Sequence, residues 1–230
     1  MDQFRQDKID VMPGAIVAPG ELNWHPLRYG KQIWQIGTPD RTAKEFRHGD
    51  DYRVWGLWQK FPIDFPNGVN FVIGKSHERT DWNYAQVNVL KDGQWIGTKW
   101  NILFDQASPP PTGTAILRLA MASTHNAKLT ISLNGQAIDS FRTAADNAMI
   151  RAGIHGQYSE QDSFFDASLL QAGQNTISLT QSAGGNVQKS VMYDCIRLEL
   201  DPSHPFDKSI AAAHPHVFPQ SGGNGGGADD

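Results

Sequence analysis

Apolar residues fall along this chain in short runs, not at the i, i+3, i+4, i+7 spacing of an amphipathic helix. Gly, Pro, Asn and Asp punctuate the runs, as expected of strands joined by turns. The stretch "IWQIGTPDRTAKEF" opens as a strand at Ile33 and breaks at Gly37 and Pro39. Two strands about a Pro-Gly turn are predicted over 15–24. Further strands are predicted over 55–61, 69–74, 84–90, 100–104, 114–122, 128–141, 175–181 and 191–200.

The 128–141 segment has the plainest pattern. Leu129, Ile131 and Leu133 alternate with polar neighbours, so one face is buried. Asn134-Gly135 then supplies the positive φ angles of a type I′ turn, and the chain returns as a hairpin. "TAILRLAMA" is apolar at nearly every position, which suits a strand covered on both faces or a short helix. Many short strands with turn punctuation predict an all-β fold, an antiparallel β-sandwich. Residues 1–28 look detachable from it, the sandwich spans 29–201, and 202–230 reads as a flexible Pro/Gly-rich tail.

Composition narrows the partners. Net charge is −4 and Lys and Arg are scattered, so no basic stripe awaits a phosphate backbone and nucleic acid is not expected. No apolar run approaches the roughly 20 residues of a membrane helix, and the N-terminus lacks a signal-peptide core. The chain is therefore expected to be cytoplasmic or cut from something longer. The single cysteine, Cys195, permits no internal disulfide. The informative excess is seven Trp, five of them within 55–100. Indoles fill cores readily, and one or two could instead be platforms for sugar rings.

Chemical motifs are sparse. "GKS" at Gly74–Ser76 fails as a phosphate loop, because Val69 stands where the first glycine is required. No H-E-x-x-H, C-x-x-C or G-x-S-x-G occurs, and "HPHVFP" lacks further metal ligands. Asp194 stands out, since strand alternation puts it on one face with Met192, Ile196, Leu198 and Leu200. A carboxylate there needs a partner. Either an Arg or backbone N–H cluster supplies it, or a Ca²⁺ does, with Asp40 and Glu45 as further oxygens. "DNAMIRAGIHGQY" (146–158) gathers Asn147, Arg151, His155 and Tyr158 between glycines. Such planar groups suit an acidic sugar, or they cap the sandwich edge. "DWNYAQ" (81–86) similarly mixes Trp82 and Tyr84 with amides.

Together "WQIGTPDRTAKEF", "YRVWGLWQKFPIDFPNGVNFVIGKSHERTDWNYAQ", "DNAMIRAGIHGQY" and "LLQAGQNTISLTQ…VMYDCIRLEL" resemble the C-terminal domain of rhamnogalacturonan lyases of polysaccharide lyase family 4. The resemblance covers about 30–200 and implies a carbohydrate-binding-module-like jelly roll of galactose-binding-like topology. Residues 1–28 resemble the end of the fibronectin-III-like middle domain of those lyases. The family's catalytic residues lie in an N-terminal domain that nothing here resembles, so none is carried over. The resemblance implies a non-catalytic module for pectic polysaccharide of the rhamnogalacturonan I type, accessory to a lyase catalytic domain and extracellular or periplasmic. A fragment of an active endolyase, or a domain that only braces a lyase, are its alternatives. Trp82, Tyr84, Asn147, Arg151, His155 and Tyr158 are the expected sugar contacts. Related modules carry a structural Ca²⁺ with an acid on the final strand, which implies Asp194, with Asp40 and Glu45, as its ligands.

Overall fold

The computed structural model describes residues 30–51, 54, 56–107, 111–146, 148 and 155–209. Twelve strands are seen among them: β1 (Lys31–Gly37), β2 (Asn70–Val72), β3 (Gln86–Val87), β4 (Val89–Lys91), β5 (Gln94–Ile96), β6 (Lys99–Gln106), β7 (Thr114–His125), β8 (Lys128–Leu133), β9 (Gln136–Arg142), β10 (Ser159–Asp166), β11 (Gly173–Gln181) and β12 (Ser190–Asp201). One sheet runs β1-β12-β7-β10, with β3 joined to the start of β12. The other runs β2-β6-β11-β8-β9, and β4-β5 form a separate ribbon. All pairings are antiparallel except β2 with β6.

The two sheets bury one apolar core, which makes the fold the all-β sandwich expected. Strand β7 is buried at every position but its last, as an apolar run covered on both faces should be. Leu129, Ile131 and Leu133 of β8 point into the core. Asn134 (φ 50°) and Gly135 (φ 85°) turn the chain into β9. The alternation there survives because one face meets the facing sheet and the other meets water.

Three expectations from the sequence need correction. The run 55–61 is not a strand in its described part. Gly56 (φ 77°) opens a 3₁₀ turn, Leu57–Lys60, followed by one helical turn, Phe61–Asp64, with Pro62 near its start. Proline has no N–H for a ladder but fits a first helical turn. The run 84–90 is divided between β3 and β4, because Asn88 leaves the ladder and its amide donates to Gly184 O at 2.8 Å. Strand β10 was not foreseen, because its inward positions include Ser159, Gln161 and Ser163, which hide the apolar alternation. Ser163 Oγ donates to Asp139 Oδ2 of β9 at 2.6 Å, so polar groups close that edge between the sheets.

The centre of the core is aromatic. The Trp82 and Trp100 rings meet edge-on at 4.9 Å and 87°. Tyr193 and Phe71 pack on Trp82 at 5.5 and 5.8 Å. The Tyr193 hydroxyl donates to Gln86 Oε1 at 2.7 Å, and the Gln86 amide donates to the carbonyls of Thr98 and Leu179, both at 3.0 Å. One buried amide thus joins the two sheets with every polar atom used. Replacing Trp82 with Ala is expected to cost about 3–5 kcal/mol of stability, the scale for emptying a buried indole site. Urea unfolding followed by circular dichroism checks it, and a cost below about 1 kcal/mol would contradict the core assignment.

Candidate functional site

The corner after β1 is built around a displaced carboxylate. Strand β12 carries an irregularity in which Tyr193 pairs with Met121 and Cys195 with the next residue, Ala120, leaving Asp194 as the extra residue of a bulge. Asp194 therefore leaves the ladder, and its buried side chain reaches the 38–42 loop. Its Oδ1 accepts three backbone N–H groups, from Asp40 at 3.1 Å, Arg41 at 2.8 Å and Thr42 at 3.2 Å. Gly37 (φ 78°) makes the approach feasible, since a Cβ there would sit 2.3 Å from Asp194 O. Arg41 (φ 69°) also takes a left-handed backbone.

Side chains of the loop lock the same corner. Thr38 N donates to Glu45 Oε1 at 2.6 Å. Asp40 Oδ1 accepts from Thr42 N at 3.0 Å and Thr42 Oγ1 at 2.7 Å, while Lys44 pairs with its other oxygen. On the outer side, Arg79 donates to Lys44 O at 3.2 Å and pairs with Asp50. Gly37, Thr38, Glu45, His77, Glu78 and Arg79 line an open depression of about 270 Å³. On the other side, the Arg41 guanidinium lies 5.1 Å over the Tyr158 ring, and Tyr158 donates to Glu160 Oε1 at 2.6 Å. Two exposed guanidinium groups, Arg41 and Arg79, thus belong to this corner.

Burial, with the nearby charges of Asp40 and Glu45 adding to it, pushes the Asp194 carboxyl up to about 7 against the opposing backbone hydrogen bonds from Asp40 and Arg41. Burial also raises Glu45. Both keep one buried oxygen, Asp194 Oδ2 and Glu45 Oε2, without a partner. These are the type of donor Ca²⁺ takes, but a shell needs about six to eight of them. Asp194 Oδ1 is occupied by N–H donors and Asp40 by Lys44, and among the described residues no group of three or more His, Cys, Asp or Glu is placed to hold a metal. As they stand, the described residues do not fit a Ca²⁺ shell. The Asp194 partner is instead the backbone N–H cluster.

The expected sugar contacts divide. Trp82 and Tyr84 are buried at 0% and 1% exposure, so neither offers a face to a sugar, and both are corrected to core. Trp82 follows the turn Glu78–Asp81, and its ring occupies the aromatic centre described above. Tyr158 is half-buried with its ring already covered by Arg41, so it supports that guanidinium and is no open platform. Asn147 and Arg151 lie outside the described residues. His155 is exposed. The Asp146 carboxylate accepts from Ser123 Oγ at 2.9 Å, Ala148 N at 2.6 Å and Gln157 N at 2.5 Å.

The sequence reading missed two charge clusters. His48 Nδ1 lies 2.8 Å from Asp51 and Nε2 2.5 Å from Asp64, which also accepts from Arg47 at 2.9 Å. Arg118, 1% exposed, pairs with Asp162 and Glu199, each at 3.1 Å. Leu117 and Leu119 point into the sandwich, so Arg118 between them points out of it. An arginine inside an otherwise apolar run was the available signal. Both clusters pair basic with acidic groups and read as structural ion pairs.

The Asp194 environment predicts a pH dependence. An acid whose folded value is raised binds its proton more tightly when folded, so its stabilising contribution is complete below 3.8 and lost as pH rises to about 7. The melting temperature of the protein should fall across that window. Asp194→Asn, which keeps an oxygen for the three N–H groups, should flatten the slope. An unchanged slope in differential scanning calorimetry would contradict the assignment. Neither EDTA nor added calcium should shift the curve.

Residues 32–198 match the family model "CBM-like: Polysaccharide lyase family 4, domain III". The chain is 34% identical over 177 residues to a rhamnogalacturonate lyase of Dickeya dadantii, covering 74% of this chain and 28% of that one. It is 27% identical over 228 residues to rhamnogalacturonate lyase B of Emericella nidulans, covering 77% of this chain and 34% of that one. The chain thus spans about a third or less of these relatives. Among solved structures, it is similar to a family 35 carbohydrate binding module from an environmental isolate (18% identity, TM-score 0.33, 60% of this chain and 87% of that one). A family 35 module from Clostridium thermocellum is similar at 17% identity and TM-score 0.29, covering 50% of this chain and 87% of that one.

Proposed function

The chain belongs to the CBM-like domain III family of polysaccharide lyase family 4, and from that premise we propose that it is a non-catalytic carbohydrate-binding domain for pectic polysaccharide of the rhamnogalacturonan I type. It would act beside a lyase catalytic domain, outside the cell or in the periplasm. The observation that carries the reading is the pair of exposed guanidinium groups, Arg41 and Arg79, held by contacts at the Asp194-anchored corner. Planar guanidinium forks match carboxylates, and the backbone of this polysaccharide carries one on every galacturonate. Thr38, His77 and Glu78 around the depression add donors and acceptors suited to sugar hydroxyls.

Asp194 is buried under three N–H groups and Asp40 is bound to Lys44, so neither is free to take a proton from a substrate. His155, exposed on the neighbouring loop, is a further candidate contact. Affinity is expected to be weak, because exposed ion pairs contribute little each.

Calorimetry with rhamnogalacturonan I fragments tests the reading. Arg41→Ala and Arg79→Ala should each weaken binding about fivefold, the equivalent of about 1 kcal/mol. The loss should shrink as salt rises, with the melting temperature unchanged. The isolated chain should generate no unsaturated-uronate absorbance. Lack of binding to any pectic glycan at millimolar concentration would overturn the proposal.

A further inference from the structure

The β2-β6-β11-β8-β9 sheet turns one face to the core and the other outward, where its side chains stand in transverse rows fixed by the register. One row reads Lys99, Thr180, Thr130 and Ser140 across β6, β11, β8 and β9. The next reads Asn70, Asn101, Ser178 and Ser132 across β2, β6, β11 and β8. Apart from Ser178, these side chains are exposed or half-buried. Neighbours in the rows hold one another. Asn101 Nδ2 donates to Asn70 Oδ1 and Ser178 Oγ to Asn101 Oδ1, both at 2.8 Å, and Thr130 Oγ1 lies 3.4 Å from Ser140 Oγ. Side chains already fixed lose little entropy when a ligand settles on them.

Next to the first row, Lys128 of β8 lies directly opposite Arg142 of β9. Both point outward, since their neighbours Leu129 and Phe141 point into the core. Like charges directly opposite, about 5 Å apart at Cβ, destabilise a ladder. With Lys99 they make three exposed cations at one end of the face. Among the described residues no carboxylate pairs with any of the three. Asp105, an outward acid of β6, lies about 20 Å along the strand from Lys99. A charge on an edge strand deters aggregation, which accounts for Arg142 on β9. It does not account for Lys128 and Lys99, which stand on interior strands. A repulsive pair without a counter-charge, in a chain of net charge −4, calls for an anionic occupant.

We propose that Lys99, Lys128 and Arg142, with the hydroxyl and amide rows beside them, form a binding face for a run of uronates in an acidic polysaccharide. Two cations side by side match carboxylates side by side, and the Arg142 guanidinium can take one of them in a fork. Thr180, Thr130, Ser140 and Asn70 exchange hydrogen bonds with the sugar hydroxyls. Three cations are a short footprint for a phosphate backbone, and neither row holds an aromatic ring on which a base could stack, so a glycan fits the face better than a nucleic acid does. The class of anion rests on the pectin-binding reading above. The place is new, because the Asp194 corner belongs to β1 and β12 of the other sheet.

Calorimetry on the full chain with an oligogalacturonate, a rhamnogalacturonan I fragment and a neutral galactan tests it, beside the double variant Lys128→Gln with Arg142→Gln. The variant should bind the oligogalacturonate about tenfold more weakly, with the difference shrinking as salt rises, and should bind galactan as the wild type does. Its melting temperature should not fall, because a repulsion has been removed. Should it melt early, the backbone amide resonances of Thr130 and Thr180 in the wild type decide: they shift on adding the oligogalacturonate if the face is right and stay fixed if it is wrong. Equal binding by variant and wild type overturns the face and leaves the pectin reading standing. Wild-type binding of the rhamnogalacturonan fragment alone does the same. No binding of any of the three glycans removes both. Tighter binding of duplex DNA than of the oligogalacturonate, lost in the variant, overturns the glycan as occupant.

Discussion

Three backbone N–H groups converge on one oxygen of Asp194, and much of the molecule's outer geometry depends on that convergence. An extra residue in β12 throws the carboxylate out of the ladder. Once there, it satisfies donors that the sharp break after β1 would leave bare. Gly37 allows the two backbones to meet, and Thr38–Glu45 and Thr42–Asp40 hydrogen bonds close the loop on itself. The strain at Arg41, in a left-handed conformation, is held by the same contacts. That conformation sets its guanidinium over Tyr158.

The interior follows a different logic. Its centre is an aromatic cluster in which Trp82, Trp100 and Tyr193 meet edge to face, and a single buried amide, Gln86, ties the hydroxyl of one sheet to the carbonyls of the other. Large rings in edge contact fill space with few voids and exclude slippage of one sheet over the other. Trp34 packs on Phe104 elsewhere in the core, while Trp58 and Trp95 are half-buried and touch each other.

The charges divide likewise. Arg118 lies buried between Asp162 and Glu199, where removing one partner would strand a charge. Arg41 and Arg79 remain at the surface, where a guanidinium can exchange an internal partner for a ligand at little cost. Carbohydrate recognition on this fold would draw on the second kind, supported by the first.

Sequence by itself determined the fold class, the β8–β9 hairpin, the doubly covered β7 and the need of Asp194 for a partner. Each of these is a local matter of period-two alternation, turn residues or a carboxylate among apolar neighbours. It also carried the family, through the segments from "WQIGTPDRTAKEF" to "VMYDCIRLEL". Tertiary structure alone decided which partner Asp194 has, because the donors come from residues more than 150 positions earlier in the chain. It alone decided that Trp82 and Tyr84 are fully inside while Trp58 and Trp95 stay half-buried, since an indole carries the same apolar signal wherever it stands. Strand β10 was illegible for the converse reason: its inward Gln161 and Ser163 hydrogen-bond to Asp139 of the facing sheet, a partner that no local pattern records. A one-dimensional pattern records what each residue prefers, and only the assembled sheets decide which preferences are met.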